Sequence, residues 1–231
     1  MKVAWLFSGL PRSPEYASEE FLRLMGYYAS TVVAHFWSCD EQGQIDCCKR
    51  VIPTLDNAKR KSNLVPDTYP NAIEEFKRIY SPSNVFIEPC SVSIAVSPYD
   101  KKKYIRAYLG QTSAQRALSL INPAEFDIIV KCRTDVLIYR KEVPRLDVVP
   151  LERDKLYTVG NFLNTYKYVN DTFLYGHPKV MVPIINSVDT FWQLEEEIAR
   201  DVHKTLKYHS KRLGLSVVTV GGPRSGRKVR T

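Results

Sequence analysis

One apolar run that ends abruptly in charged residues constrains the fold of this chain more than any other segment. It spans residues 126–132, and Arg133 and Asp135 follow it within three positions. A short, mostly apolar run is typical of a strand that is buried in a parallel sheet. In open α/β sheets, ligands bind outside the carboxyl ends of the strands. We therefore predict that Arg133 and Asp135 face a ligand crevice at the end of this strand.

Strand and helix patterns alternate along most of the chain. Alternating or β-branched runs predict strands at residues 2–7, 31–37, 84–88 and 155–159. Apolar residues at helical spacing predict helices at residues 16–28, 71–80 and 104–120. An i, i+4 stripe from Leu194 to Leu206 predicts one long helix over residues 187–213. The alternation predicts an α/β fold with a mainly parallel central sheet flanked by helices.

Length and composition fit one domain in a reducing compartment. The 231 residues, of which 44% are apolar, are enough to bury a sizeable core, and we place the domain at residues 1–221. No apolar run is long enough for a transmembrane segment, and the apolar start of the chain is too short for a secretory signal. The cysteine count of 5 is odd, which does not suit a disulfide framework. We expect a cytoplasmic protein, located in the host cytoplasm if the source is viral.

The net charge of +8 raises the possibility of a nucleic-acid partner. Much of the excess charge lies in residues 222–231, which contain Arg224, Arg227, Lys228 and Arg230 and no acidic residue. We predict that these residues form a disordered basic tail. Since the charge is concentrated in such a tail, it does not by itself indicate a nucleic-acid-binding domain.

A turn rich in glycine and proline follows the first predicted strand. Ser8 and Gly9 allow the backbone to approach a ligand closely, and Arg12 supplies a cation for a phosphate group. An ordinary turn is the alternative explanation for the same residues. On the helix that precedes the strand at 126–132, Gln111, Ser113 and Arg116 form a polar set that faces either the same ligand or solvent.

Five short motifs resemble those of glycosyltransferases related to the WavE lipopolysaccharide-synthesis family and of similar proteins from large DNA viruses. The K-x-R-[ST]-D motif corresponds to residues 131–135, and the other motifs lie in the same order as in that family. They are S-G-x-x-R at 8–12, H-x-W at 35–37, the polar helix positions Gln111, Ser113 and Arg116, and N-D-x-F at 170–173. The resemblance covers roughly residues 2 to 180.

The resemblance implies a GT-A type fold that binds a nucleotide-sugar at the carboxyl ends of its first strands. The enzyme would transfer the sugar to a hydroxyl group of a glycan or glycoconjugate. It implies nucleotide-sugar contacts from seven residues: Ser8, Gly9, Arg12, Gln111, Ser113, Arg116 and Arg133. It also implies a divalent cation on the diphosphate, with Asp135 as its ligand. A viral or bacterial source fits this resemblance.

Asp135 and Asp171 are the predicted catalytic carboxylates. Mn²⁺ or Mg²⁺ prefers carboxylate oxygen, and Asp135 is the single acid at the end of the strand. Capping of a turn by Asp135, paired with Arg133, is the alternative. Asp171 is the candidate general base that would deprotonate the acceptor hydroxyl if the reaction inverts the anomeric centre. A strand-end turn is the alternative for Asp171, and residues 195–197, three consecutive glutamates, are an alternative source of the base.

Two other functions are compatible with the sequence. A nucleic-acid-binding protein would use the basic tail, and its affinity would depend steeply on salt concentration. A catalytically inactive module would bind a sugar nucleotide without transferring the sugar. The donor sugar, the nucleotide base and the acceptor are not specified by any motif.

Overall fold

The computed structural model describes residues 1–11, 14–15, 18–38, 69–89, 101–134, 145–147, 151–159, 169, 171–199 and 201–220. The strands in this part of the chain are β1 (Lys2–Gly9), β2 (Ala29–Ser38), β3 (Asn84–Pro89), β4 (Ile128–Cys132), β5 (Lys155–Val159), β6 (Phe173–Gly176) and β7 (Ser216–Val220). The α-helices are α1 (Ser18–Met25), α2 (Tyr69–Tyr80), α3 (Lys101–Leu118), α4 (Pro178–Asn186), α5 (Glu196–Ala199) and α6 (Val202–Arg212). Two 3₁₀-helices cover Pro123–Glu125 and Ser187–Gln193.

All seven strands belong to one sheet, in the order β3-β2-β1-β4-β6-β5-β7. The pairs β1–β2, β2–β3, β1–β4 and β5–β7 are parallel, whereas β6 is antiparallel to both β4 and β5. Only β6 is therefore reversed among the described strands. The predicted α/β fold with a mainly parallel central sheet flanked by helices is confirmed.

Aromatic side chains fill the face of the sheet that α1 and α2 cover. Phe7 of β1 lies between Phe21 of α1 and Phe76 of α2, with ring centroids 5.1 and 5.0 Å away. Tyr80, at the end of α2, contacts the same ring at 4.8 Å. Edge-to-face and tilted pairs of this kind add to the stabilisation that buried area provides. This face is the largest hydrophobic cluster described in the chain.

Aliphatic side chains fill the opposite face, which α3, α4 and α6 cover. Leu6 of β1 and Ile129 of β4 are fully buried there, against Ala117 of α3, Ile184 of α4 and Leu206 of α6. Alternation along each strand explains the two faces, since successive side chains point to opposite sides. The same alternation directs Ser8, His35 and Lys131 toward the α3 side, close to the ends of their strands.

The prediction of one helix over residues 187–213 is wrong. The chain instead forms the 3₁₀-helix Ser187–Gln193, then α5, then α6. Leu194 has extended backbone angles (φ −74°, ψ 149°), which end the 3₁₀-helix. Asp201 is also extended, and its carboxylate accepts a hydrogen bond from the backbone N–H of His203 at 2.8 Å. Asp201 therefore caps a new helix inside the predicted one.

Three described elements were not predicted: α4, β7 and the 3₁₀-helix Pro123–Glu125. Pro183 lies inside α4, and a proline at such a position disfavours a helix prediction because it removes a backbone donor. Polar residues and three prolines predict mostly loop over residues 41–70, of which the structure describes only residues 69 and 70, at the start of α2. The basic tail at 222–231 lies outside the described residues, so the proposed domain division stays a prediction. None of the described helices has the length and apolar character needed to cross a membrane.

Candidate functional site

The carboxyl ends of β1, β2 and β4 meet at one edge of the sheet. Because β6 runs in the opposite direction, its first residue, Phe173, lies at this same edge. The backbone N–H of Arg133, just past β4, donates to the carbonyl oxygen of Thr172 at 3.2 Å. Arg133 of the R-T-D motif and Thr172 of the N-D-x-F motif, 39 positions apart in sequence, are therefore adjacent in space. We refer to this region as the carboxyl edge.

The end of β1 requires a glycine and is held by α3. Gly9 has a φ of +110°, a backbone conformation that residues with a side chain rarely adopt. Its backbone N–H donates to the hydroxyl oxygen of Ser113 at 2.6 Å. The loop after β1 therefore leaves the sheet at a fixed angle, tied to the helix that covers it.

The hydroxyl group of Ser113 fixes the protonation of His35. A serine hydroxyl has one proton and two lone pairs. The proton is donated to the carbonyl oxygen of His35 at 3.0 Å, and one lone pair accepts from Gly9. The remaining contact, from Nδ1 of His35 at 2.8 Å, must then be a donation by Nδ1–H. His35 is therefore the Nδ1–H tautomer when neutral.

The other nitrogen of His35 faces an acidic residue. Nε2 lies 3.1 Å from a carboxylate oxygen of Glu88, at the end of β3, and Nε of Arg116 lies 3.3 Å from the same oxygen. The proton of the neutral imidazole is on Nδ1. A hydrogen bond between Nε2 and Glu88 therefore requires a second proton, carried either by the imidazole or by the carboxylate. Burial lowers the pKa of His35, although the Glu88 carboxylate acts in the opposite direction. The second proton is thus bound only at acidic pH.

Ser113, His35 and Glu88 are the residue types of a hydrolase triad, but this arrangement does not suit a nucleophile. Ser113 and His35 have no exposed surface, and the serine proton is committed to a backbone carbonyl. The hydroxyl has no free hydrogen-bonding capacity for a ligand either. The predicted role of Ser113 in nucleotide binding therefore stays a prediction. In that role, Ser113 would act indirectly, by holding the loop after β1 in position.

Lys131 is a charged residue within an otherwise apolar strand. It is only 7% exposed, and its ammonium group donates to the backbone carbonyl of Asp171. A buried ammonium group is costly unless it is hydrogen-bonded, and this bond meets part of that requirement. The same bond fixes residue 171 against the end of β4, so the candidate base has a defined position.

The side chain of Asp171 is partly exposed and lies near a histidine of α6. One carboxylate oxygen is 3.5 Å from Nδ1 of His203, a distance at which the interaction is mainly electrostatic. Nδ1 also lies 2.8 Å from the carbonyl oxygen of Val169 and so donates to it. Asp171 therefore combines a fixed backbone with a carboxylate that solvent can reach, as a general base requires.

Gln111 differs from its neighbours on α3 because its side chain is buried without a partner. The residue is 6% exposed, and among the described residues neither atom of its amide group has a hydrogen-bond partner. It lines a small cavity together with Lys131 and Asp171. A buried amide group is costly unless its hydrogen bonds are made, and the neighbouring cavity has room for about one water molecule.

The structure places the predicted site residues as follows. Ser8, Gly9, Ser113 and Arg133 lie at or just under the carboxyl edge, Gln111 lies in the neighbouring cavity, and Arg116 is exposed beside Glu88. Asp171 lies opposite the end of β4. Arg12 and Asp135 lie outside the described residues. Of the alternative glutamates, Glu195 and Glu197 are exposed, and Glu197 pairs with Lys204 at 2.7 Å.

Three residues of this region were given no role from the sequence: Glu88, His203 and Lys131, which entered only as the first position of the K-x-R-[ST]-D motif. A lysine inside the run Ile128–Cys132 is a signal in itself, because charge is rare in a buried strand. Glu88 and His203 gave no comparable signal, since their partners come from distant parts of the chain.

A metal site is not formed by the described residues alone. Among them, no group of three histidine, cysteine, aspartate or glutamate side chains lies close enough to hold an ion. Asp135, the predicted ligand of Mn²⁺ or Mg²⁺, is not among these residues. Metal binding therefore stays a prediction that depends on Asp135.

No family model and no curated protein matches the sequence. The fold is similar to that of a Desulfovibrio desulfuricans protein assigned as a nucleotide-diphospho-sugar transferase. The identity is 11% and the TM-score 0.43, and the match covers 96% of this chain and 80% of the other. It is also similar to a glycosyltransferase involved in glycosylation of the major capsid of PBCV-1, with 11% identity, a TM-score of 0.43 and coverage of 84% and 82%.

A third similar structure is the apo form of the glycosyltransferase GlyE from Streptococcus pneumoniae. The identity is 8% and the TM-score 0.43, over 94% of this chain. The chain spans only 44% of the length of GlyE. These are distant likenesses of fold and say nothing about the reaction. The resemblance to the WavE-related family in particular is not shown by any of them.

Proposed function

We propose that this chain is a GT-A type glycosyltransferase, related to the WavE family, that transfers a sugar from a nucleotide-sugar to a hydroxyl group of a glycan or glycoconjugate. One observation carries the proposal: motifs that are far apart in sequence meet at the carboxyl edge. Gly9 and His35 both contact Ser113, and Arg133 contacts Thr172. Ligands of open α/β sheets bind at this edge.

The charges of the region suit the departure of a nucleoside diphosphate. Breaking the bond between sugar and phosphate leaves growing negative charge on the diphosphate, which fixed cations stabilise. Lys131 and Arg133 lie at the end of β4, and Arg12 is expected after β1. The backbone of Gly9, which has no side chain, would allow the phosphates to approach closely.

Asp171 would act on the other substrate, the acceptor. In an inverting reaction, a carboxylate removes the proton of the acceptor hydroxyl as that oxygen attacks the anomeric carbon. Its bond to Lys131 keeps the backbone of residue 171 in place, while the carboxylate is accessible. A retaining reaction would not need this base.

A divalent cation is a separate part of the proposal. Mn²⁺ or Mg²⁺ held by Asp135 would offset the charge of the diphosphate, together with oxygen ligands from the phosphates themselves. This part depends on Asp135 alone, because the described residues do not form a metal site. A cytoplasmic location stays a prediction from the sequence.

Calorimetric titration with UDP-, GDP- and other nucleotide-sugars, with and without Mn²⁺, tests the proposal. We expect one nucleotide family to bind selectively, and tighter binding with Mn²⁺ would support the role of Asp135. Absence of binding across the panel would contradict the proposal. Release or transfer of the sugar, followed by NMR, would then separate an enzyme from an inactive sugar-nucleotide-binding module.

A further inference from the structure

The excess positive charge of this chain is confined to residues 202–231. This segment contains eight lysines and arginines and no acidic residue, and the net charge of the whole chain is +8. Residues 1–201 therefore have no net charge. Such a charge asymmetry indicates an interaction with a negatively charged surface, which is either a nucleic acid or a membrane.

Four of the eight cations lie on helix α6, and they are Lys204, Lys207, Lys211 and Arg212. Their spacing of three, four and eight positions places them on one side of the helix. The opposite side of α6 packs against the aliphatic face of the sheet, where Leu206 is buried. We refer to the side of α6 that carries these four cations as the basic face.

Helix stability does not explain the basic face as a whole. Lys211 and Arg212 lie in the last turn, where the helix dipole favours cations. Lys204 lies in the first turn, where the dipole disfavours a cation, and it pairs with Glu197 at 2.7 Å. Lys207 precedes Lys211 by four positions, and like charges at this spacing repel each other. A partner of opposite charge would offset this repulsion.

Apolar side chains are exposed beside these cations. Tyr208, which is 40% exposed, lies within the basic face, because cations precede it by four positions and follow it by three and four. Leu213, directly after α6, is 42% exposed, and Val217 of β7 is 38% exposed. Val217 pairs with Leu156, whose side chain belongs to the aliphatic face, so Val217 points to the α6 side of the sheet.

This combination of cations and apolar side chains favours a membrane over a nucleic acid. Contacts between cations and phosphates supply most of the affinity for a nucleic acid, and Leu213 and Val217 would have no part in them. At a bilayer surface, lysines and arginines attract anionic headgroups while apolar side chains enter the interfacial layer. Tyrosine is enriched at that interface, which suits Tyr208.

We infer that the basic face of α6, together with Leu213 and Val217, binds the surface of a membrane that contains anionic lipid. The inference goes beyond the proposed function and does not depend on it. Asp171 lies 3.5 Å from His203, near the start of α6. Binding through α6 would therefore hold the candidate site close to the membrane.

The first measurement is co-sedimentation of the full chain with lipid vesicles. One set contains phosphatidylcholine with about 30% phosphatidylserine, and the other contains phosphatidylcholine alone. We expect the anionic vesicles to bind at least about tenfold more tightly, and this binding to weaken as the salt concentration rises. Absence of binding to the anionic vesicles, or equal binding to both sets, would overturn the inference.

Two triple variants test whether the basic face makes the contact. Lys207→Gln, Lys211→Gln and Arg212→Gln are combined in the first, and Lys77→Gln, Arg78→Gln and Lys179→Gln, all exposed on other helices, are combined in the second. Both lose the same net charge. We expect the first to bind anionic vesicles about a hundredfold more weakly, since each cation near the bilayer contributes about fivefold. We expect the second to stay within about threefold of the wild type, because distant charges are screened.

Wild-type affinity in the first triple variant would show that the chain binds lipid elsewhere. Equal losses in the two triple variants would show that only the net charge matters. Either result would overturn the inference.

A double variant tests the apolar part of the surface. We expect Leu213→Ser combined with Val217→Thr to bind anionic vesicles about fivefold more weakly, because less apolar surface enters the interfacial layer. Leu22→Ser, which replaces an exposed leucine of α1, is the control and should bind like the wild type. Wild-type affinity in the double variant would overturn the inference, since purely electrostatic binding would not distinguish a bilayer from another polyanion.

A DNA duplex of mixed sequence is the competing polyanion. We expect the chain to stay on the anionic vesicles when the duplex is added at an equal concentration of phosphate groups. Displacement by the duplex would assign the basic face to nucleic acid and overturn the inference. Vesicle binding by a chain that binds no nucleotide-sugar would support the inference and contradict only the proposed function.

Discussion

Ser113 connects two strands of the candidate site through a single hydroxyl group. It accepts from the backbone of Gly9 and from Nδ1 of His35, and it donates to the carbonyl oxygen of His35. The two bonds to His35 are buried and the bond to Gly9 is partly buried, so water cannot easily replace the hydroxyl at His35. The position of the loop after β1 therefore depends on this side chain.

Replacing Ser113 with alanine should destabilise the fold and displace the loop after β1. The buried Nδ1–H of His35 and the partly buried N–H of Gly9 lose their acceptor, at a cost of about 2 kcal/mol in the free energy of unfolding. Denaturant titration measures this loss. Ser119→Ala, at the exposed end of the same helix region, should change stability by less than about 0.5 kcal/mol. Equal stability of the two variants would argue against the hydrogen-bond assignment around Ser113.

Replacing Asp171 with asparagine tests the candidate base directly. Asparagine keeps the shape and the backbone bond to Lys131 but cannot accept a proton in the reaction. We expect the turnover number to fall by about a hundredfold or more, while donor affinity changes little. Asp154→Asn, an exposed turn residue, is the control. Wild-type turnover in Asp171→Asn would remove this residue from the mechanism.

His209 of α6 makes the stability of the protein depend on pH. Burial lowers its pKa to about 4, and the neighbouring Arg212 acts in the same direction. In the unfolded chain the pKa returns to about 6.5. Between these values the unfolded chain binds a proton that the folded chain does not. The contribution of His209 to the free energy of unfolding is therefore fully present above pH 6.5, and it is lost as the pH falls toward 4.

The variant His209→Leu should lack this dependence. We expect the free energy of unfolding of the wild type to fall by roughly 2 to 3 kcal/mol more than that of the variant between pH 7 and pH 4. Denaturant titrations at several pH values measure the difference. Parallel pH profiles for the two proteins would mean that His209 titrates normally in the folded state.

For individual residues, the sequence indicates which residue types belong to the candidate site but does not indicate their hydrogen-bond partners. Asp171 stood out because its carboxylate lies beside an apolar strand pattern, and Gln111 because the family resemblance matched it to the polar side of a helix. Their environment depends on residues from other elements, such as Lys131 for Asp171, 40 positions away. Glu88 was missed for the same reason, since its importance comes only from contacts with His35 and Arg116.

Helix ends in the last third of the chain depend on single capping interactions. An i, i+4 stripe of apolar residues extends across the region, yet Leu194 and Asp201 adopt extended backbone angles that divide it. Periodicity reports which face of a helix is apolar and does not report where the helix stops. Capping residues carry that information, and an aspartate in the middle of a helical pattern is easily taken for an exposed side chain.

Removing the cap of α6 should weaken this helix. Asp201→Ala removes the acceptor for the backbone N–H of His203, at a cost of about 1 kcal/mol in the free energy of unfolding. Asp201→Asn and Asp201→Ser, which can also cap, should retain most of the stability. Thermal or denaturant unfolding compares the three. If alanine and asparagine behave alike, the cap does not contribute to stability.

The strands were better predicted from sequence than their arrangement was. Apolar and β-branched runs identify β1 to β5 because burial in a sheet selects those residues. The pairings that place β6 between β4 and β5, and β7 beside β5, link segments that are distant along the chain. Local patterns contain no signal for them. Among the described strands only β6 is reversed, and its reversal brings Asp171 to the carboxyl edge.

For the molecule as a whole, we predict that the nucleotide-sugar binds at the carboxyl edge and not elsewhere on the sheet. Arg133 follows the end of β4 and lies at this edge. Arg153 is an exposed arginine that precedes β5, so it lies at the opposite edge of the same sheet. The two residues therefore form a matched pair of the same charge at different ends of the strands.

We would measure, by calorimetry, the affinity of the tightest-binding nucleotide-sugar for the wild type, Arg133→Ala and Arg153→Ala. Loss of a charged hydrogen bond to phosphate weakens binding by roughly tenfold to a hundredfold. We predict a loss of this size in Arg133→Ala and wild-type affinity in Arg153→Ala. Wild-type affinity in Arg133→Ala, or a loss confined to Arg153→Ala, would contradict it.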